Sequence, residues 1–298
     1  ADAPMPHDWV THRTRRSTAI VIFWLIAVSI ANPPRAEAQA TLSGELTVLS
    51  VNALIGGLTS GLVSVARGES FLDAFRDGAA GGSLQYLGKR LTTASVPGAG
   101  FAGRLVGSTG ASMIRNSAGG RGALDRVIVA VGPIVFDWTT VADSQRLAAR
   151  LHLGRAIFLG RMIANDDLEL DWAESLSAGA PVFRAPGRVI QGTNGSTAGG
   201  LELWGVISLS DRSIMPPLDY SRLLSHERVH LVQDDFLNVA WADPIEDRLI
   251  EAVPHGETIV RYIDVGGMYM VIAGMLNLSL PYEARPWENE AAYMEEGC

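Results

Sequence analysis

The chain has a single cysteine, Cys298, at its last position. One thiol permits no internal disulfide, so the fold is not a disulfide-stapled one. Lysine is equally scarce, occurring only at Lys89. Charged residues make up 19% of the chain and the formal net charge is −8. The arginines are scattered singly and form no stripe, which argues against nucleic acid as a partner, because phosphate binding rests on clustered cations. Glycine is plentiful, at 32 residues, yet there is no GxxxxGK[ST] and no G-x-G-x-x-G after a clear strand. Nucleotide-binding loops are therefore not expected.

The first forty residues have a texture of their own. Arg13, Arg15 and Arg16 precede STAIVIFWLIAVSIAN, whose apolar part from Ala19 to Ile30 has the length of a signal-peptide core. It falls short of the roughly 20 residues needed to span a bilayer. Pro33 and Pro34 break the helix, and Ala36, Ala38 and Ala40 supply small residues for cleavage. Residues 1–40 are expected to be a signal peptide, with an uncleaved anchor as the alternative. Either sends the remainder to the periplasm or another extracytoplasmic space.

Residues 41–122 are expected to form a glycine-rich helical region. TVLSVNALIGGLTSGLVSVARG carries no charge between Glu45 and Arg67. ESFLDAFRDGAAGGSLQYLGKRL reads as a second helix interrupted at Gly78, Gly81 and Gly82, and GFAGRLVGSTGASMIRNSAGG as a short, poorly capped third. Small residues four apart allow close helix contact, in water or in a membrane. Both readings stay open: a soluble hairpin packed against the rest of the chain, and a membrane-contacting one.

From residue 123 onward strands are expected in DRVIVAVGPIVFDW, RLHLGRAIFLGRMI, PVFRAPGRVIQG and LELWGVISLS, with NDDLELDWAESLSAG and TNGSTAGG as loops between them. A helix then runs through Leu224, Val229 and Val232, with Asp219 or Ser221 as its cap. The charge-free stretch from Val265 to Pro281 reads as a buried core helix, with membrane docking as the alternative. The fold class is α+β: residues 123–298 as a domain with a mixed or antiparallel sheet and metal-binding helices, preceded by the glycine-rich region.

Within that helix lies His226-Glu227-Arg228-Val229-His230. On a helix the two histidines share a face one turn apart and can meet one metal ion, while Glu227 can reach a metal-bound water. HERVHLVQ resembles the active-site helix of the zincin superfamily of metallopeptidases, in particular its HExxHxxQ variants. The resemblance covers mainly residues 201–235 and 285–297. It implies a zincin-like domain, a Zn2+ cofactor and hydrolysis of a peptide or protein substrate, with Glu227 as the catalytic proton acceptor. In PWENEAAYMEEG it implies Glu290 as the third ligand after His226 and His230. It also casts Leu201–Leu209 as an edge strand holding extended substrate, with Leu201, Leu203, Gly205 and Ile207 along it.

Gln233, one turn beyond His230, is a candidate to orient a neighbouring helix or the metal's surroundings. Tyr293, Tyr220 and His255 are the available transition-state donors. Asp234 is the fallback third ligand. Asp234, Asp235, Glu288 and Glu295 otherwise read as solvated charges or caps, and His152 as structural. A function of another class remains beside the peptidase: a noncatalytic subunit with a zincin-like fold, attached to a membrane or a membrane-protein complex.

Overall fold

Small residues decide how the first helices pack. The computed structural model describes residues 42–141, 146–190, 199–215, 217–262, 280–281 and 284–295. It opens with α1 (Leu42–Ala66), α2 (Phe71–Thr93) and α3 (Ala99–Ala118). Ser70 caps α2 by accepting a hydrogen bond from the Asp73 N–H. Gly78, Gly81 and Gly82 do not interrupt α2, because each faces another backbone. A Cβ at Gly81 would stand 2.6 Å from the Gly110 carbonyl of α3, and one at Gly82 would overlap the Asn52 carbonyl of α1. Glycine costs a helix interior about 1 kcal/mol relative to alanine, and interhelical contact offsets that here. The third helix lacks a side-chain cap, but at 20 residues it is not short.

The bundle is apolar on its outer side. Helix α1 buries Gly56, Gly57, Thr59, Ser60, Gly61 and Ser64 and exposes Leu42, Leu46, Leu54, Leu62 and Val65. It is 25 residues long with a mean hydropathy of 1.7 over its most apolar stretch, long and apolar enough to cross a bilayer, and 39% of that stretch is buried.

The chain is α+β, with two small sheets. Strands β1 (Arg126–Val131), β2 (Ile134–Thr139) and β3 (Arg146–Leu151) form an antiparallel sheet in that order, with Arg126 opposite Thr139 and Ile134 opposite Leu151. The strand expected through RLHLGRAIFLGRMI ends at Leu151, and Leu153–Asp166 is helix α4. Its Arg155 and Phe158, one turn apart, find partners on the same side. The Arg155 guanidinium donates to Asn238 Oδ1 at 2.8 Å, and Phe158 meets Trp204 edge-on at 4.2 Å between centroids. The presumed loop NDDLELDWAESLSAG instead holds β4 (Glu169–Leu170) and α5 (Trp172–Ala178). Asp171 caps α5 by accepting from the Glu174 N–H, and Gly179 closes it in the left-handed conformation. The D-x-x-E spacing was a readable start signal.

The second sheet is mixed. It contains β4, β5 (Val182–Ala185), β6 (Gly200–Leu203) and β7 (Val206–Ser210) in the order β4-β5-β7-β6, and only the β5–β7 pairing is parallel. The single edge strand expected from Leu201 to Leu209 is a hairpin. Trp204 and Gly205, at φ 55° and 75°, form its two-residue turn. Leu201 and Leu203 therefore lie on the edge strand β6, Gly205 lies in the turn, and Ile207 is fully buried in central β7.

Helix α6 (Pro217–Asp235) comes next, with Pro217 in its first turn rather than Asp219 or Ser221 at its cap. A π-helical segment (Phe236–Ala242), α7 (Asp243–Ala252), α8 (Gly256–Tyr262) and α9 (Pro286–Glu295) follow. Helix α6 is buried from several directions. Leu224 and Leu231 join Ile207 and Leu209 of β7, and Val229 joins Ala291 and Met294 of α9 and Tyr86 of α2. Val232 abuts Gly107 of α3. Arg104 of α3 pairs with Asp235 at 3.3 Å in full burial, where Ser108 also donates to Asp235 at 2.6 Å. Contacts thus cross the boundary expected at residue 122. The expected signal peptide and nearly all of the Val265–Pro281 stretch lie outside the described residues.

Gly82→Val should lower the unfolding free energy by about 3 kcal/mol through overpacking. Gly160→Ala should raise it by about 0.5–1 kcal/mol, because a Cβ at this exposed helical position meets nothing within 4 Å. Urea denaturation of both variants beside the parent checks the pair.

Candidate metal centre

The single turn between His226 and His230 on α6 sets their rings 4.7 Å apart and nearly perpendicular. Helix α9 packs against α6 and brings in a carboxylate. Three atoms converge: His226 Nε2 lies 3.0 Å from His230 Nε2 and 3.2 Å from Glu288 Oε2, and His230 Nε2 lies 3.6 Å from the same oxygen. These three residues form the group able to hold a metal ion.

The far side of each ring fixes which nitrogens face the near side. His226 Nδ1 is 3.0 Å from Glu295 Oε2, and His230 Nδ1 is 2.7 Å from Gln233 Oε1. Both partners are acceptors, so both Nδ1 atoms carry hydrogen. Gln233 is oriented in turn, because its Nε2 donates to Glu290 Oε2 at 2.8 Å and to the Trp287 carbonyl at 3.3 Å. With Nδ1 protonated on both rings, the two Nε2 atoms and a carboxylate oxygen face one another. A proton on His226 Nε2, or a cation in its place, satisfies that arrangement. Burial alone would lower the His226 pKa, but the hydrogen bonds its ring donates to the Glu288 and Glu295 carboxylates push it up to about 10. The same three atoms could hold a metal ion.

The expected third ligand is not where it was placed. Glu290 turns away from the histidines to Lys89, whose ammonium lies 2.8 and 2.7 Å from its two oxygens, and Asn52 Nδ2 donates to it at 2.8 Å. Burial works against its charge, but Lys89 and these donors hold the Glu290 carboxyl below the usual range. Glu288 stands beside the histidines instead. Residues 288 and 290 fall on nearly opposite faces of a helix, whereas 288 and 295 share one. That Glu-x6-Glu spacing was a signal that Glu288 and Glu295 act together, so neither is a solvated charge or a cap.

Glu227 is buried next to the pair. Its carboxyl is pushed up by burial, against the pull of His230 and His226, and it accepts the Glu202 backbone N–H of edge strand β6. Asp234 sits on the β6 side: Glu202 is pushed well up, first by burial and then by the charge of Asp234. Asp234 and Asp235 are both buried, contrary to their reading as solvated, and neither belongs to the ligand group. The Tyr293 hydroxyl donates to Glu45 at 3.1 Å and its ring lies under Arg90, so it is not aimed at the histidines. Tyr220 is in the core beside Leu224, and His255 is exposed. His152 is buried just before α4.

Comparison with protein-family models, with curated proteins and with solved structures finds no match for this chain.

Glu288→Ala should weaken binding of Co2+ or Zn2+ by more than about 100-fold, and Glu295→Ala by about 10–100-fold. Competition against a chromogenic chelator measures both.

Proposed function

We propose that the chain is an exported, zinc-dependent peptidase with a zincin-like core. The convergence of His226 Nε2, His230 Nε2 and Glu288 Oε2 carries this reading. Zinc binds nitrogen and oxygen ligands at about 2.0–2.2 Å, and a tetrahedral ion therefore sets them about 3.3–3.5 Å apart. The separations of 3.0, 3.2 and 3.6 Å bracket that spacing. Two imidazoles and one carboxylate also suit zinc better than calcium or magnesium, which prefer all-oxygen sites.

Three protein ligands leave a fourth position open. When bound, zinc would acidify a water there and polarise a substrate carbonyl. Glu227 is then the proton carrier: its carboxylate takes the water's proton and returns it to the departing amine. A raised carboxyl, as burial gives Glu227, is suited to that exchange near neutral pH. The backbone of β6 is tied to Glu227 through Glu202 and lies at the sheet edge. An extended peptide added along β6 would therefore pass beside the site. Leu201 is 43% exposed and available to such a substrate. The leader-like residues 1–40 supply the proposed location outside the cytoplasm.

A second reading rests on the outer face of α1, where leucines point outward and glycines and serines inward. That pattern suits a noncatalytic subunit that keeps the metal centre and docks on a membrane or a membrane protein.

The purified protein should hold one zinc per chain and cleave members of a peptide library. Glu227→Gln should retain the zinc and lose about 10²–10⁴-fold in cleavage rate. Bound zinc with no cleavage of any peptide by the parent protein would favour the second reading, and a parent that takes up no zinc would rule out both.

A further inference from the structure

The chain's only lysine is inside the protein. Lys89 is 5% exposed and projects from the inner face of α2, the face that carries Gly78, Gly82 and Gln85. Its ammonium meets both Glu290 oxygens and Asn52 Oδ1, the last at 2.9 Å. From there a single row of polar contacts leads to the metal centre: Gln233 Nε2 to Glu290 Oε2 at 2.8 Å, then His230 Nδ1 to Gln233 Oε1 at 2.7 Å.

The row has a direction. An ammonium only donates, so it calls for an acceptor, and the Glu290 carboxylate is one. A carboxylate in turn calls for a donor and draws the NH2 end of Gln233. The carbonyl end of that amide is thereby turned to His230, where it accepts from Nδ1 and leaves the Nε2 lone pair facing His226 and Glu288. Turned over, the amide would set its carbonyl against the Glu290 carboxylate and its NH2 against the His230 N–H. Lys89 thus selects the amide orientation, and the amide selects the tautomer able to bind a metal.

We propose that Lys89 is a positioning residue for the metal centre, acting through Glu290 and Gln233 to hold His230 in its metal-binding tautomer and orientation. The inference rests on the metal-centre reading above and adds to it a residue from the glycine-rich bundle. Without Lys89, Glu290 is a buried anion held only by neutral donors. Its carboxylate then leaves for solvent or for the cation, and Gln233 loses the acceptor that orients it.

The test is Co2+ and Zn2+ affinity of the full chain by chelator competition, for the parent, Lys89→Met, Lys89→Arg, Gln233→Met and the Lys89→Met/Gln233→Met double variant. Circular dichroism reports the fold of each. Lys89→Met should bind about 10–100-fold more weakly, Lys89→Arg should recover most of that loss, and the double variant should be no weaker than Gln233→Met alone. A merely structural lysine would instead add its effect to that of Gln233→Met, and this additivity would overturn the proposal. So would undiminished affinity in folded Lys89→Met. Should Lys89→Met not fold, Glu290→Gln carries the same test, since an amide there cannot dictate which end of Gln233 it faces. It must show the same loss, and parent-like affinity overturns the proposal. A parent protein that binds neither ion defeats the metal-centre reading itself, whereas tight binding by parent and variants alike defeats only the role of Lys89.

Discussion

A buried ammonium–carboxylate contact joins residues 201 positions apart, Lys89 on α2 and Glu290 on α9. Taking both ions out of water costs several kcal/mol each, and their attraction offsets that only when the remaining hydrogen-bonding positions are also filled. Asn52 from α1 and Gln233 from α6 fill them. Four helices must therefore meet at one point, and they meet within hydrogen-bonding distance only if α1 and α2 approach almost to backbone contact. Glycine at position 82 makes that approach possible.

The same constraint turns the bundle inside out. Once small residues occupy much of the inner faces of α1 and α2, many of their larger apolar side chains lie outside, with Val48 and Tyr86 among those that stay buried. Leu46 and Leu62 of α1 and Leu72, Leu87 and Leu91 of α2 are exposed as a result. A water-soluble helix ordinarily does the reverse. Meanwhile α6 is surrounded: Leu231 toward the sheet, Val229 toward α9 and Val232 toward α3. The helix carrying the histidines is thereby held by three independent layers, which is the kind of support a preorganised metal centre requires.

Much of the site could be read from the sequence because it is local. The pairing of His226 with His230, the placement of Glu227 and the reach of Gln233 all follow from spacing along one helix. The third carboxylate could not be read so directly, because PWENE offers two glutamates on opposite faces and only docking decides which face meets α6. Lys89 claims Glu290, so Glu288 is left for the histidines. The fold was legible in the same uneven way. The α+β character and the three glycine-rich helices follow from composition, but α4 and the β6–β7 hairpin do not. Arg155 and Phe158 are committed to a helix by partners 83 and 46 residues away, at Asn238 and Trp204. The positive φ of Trp204, a conformation an aromatic residue seldom adopts, hides a turn inside what looks like one strand.

The burial of Lys89 has a consequence for covalent chemistry. It is the only ε-amine in the chain, and in the folded protein it is enclosed and ion-paired. Acetylation, ubiquitin transfer and amine-directed cross-linking therefore find no accessible lysine on the native surface. Acylation of Lys89 would report that the helices had parted, making the protein's one lysine a built-in chemical record of unfolding.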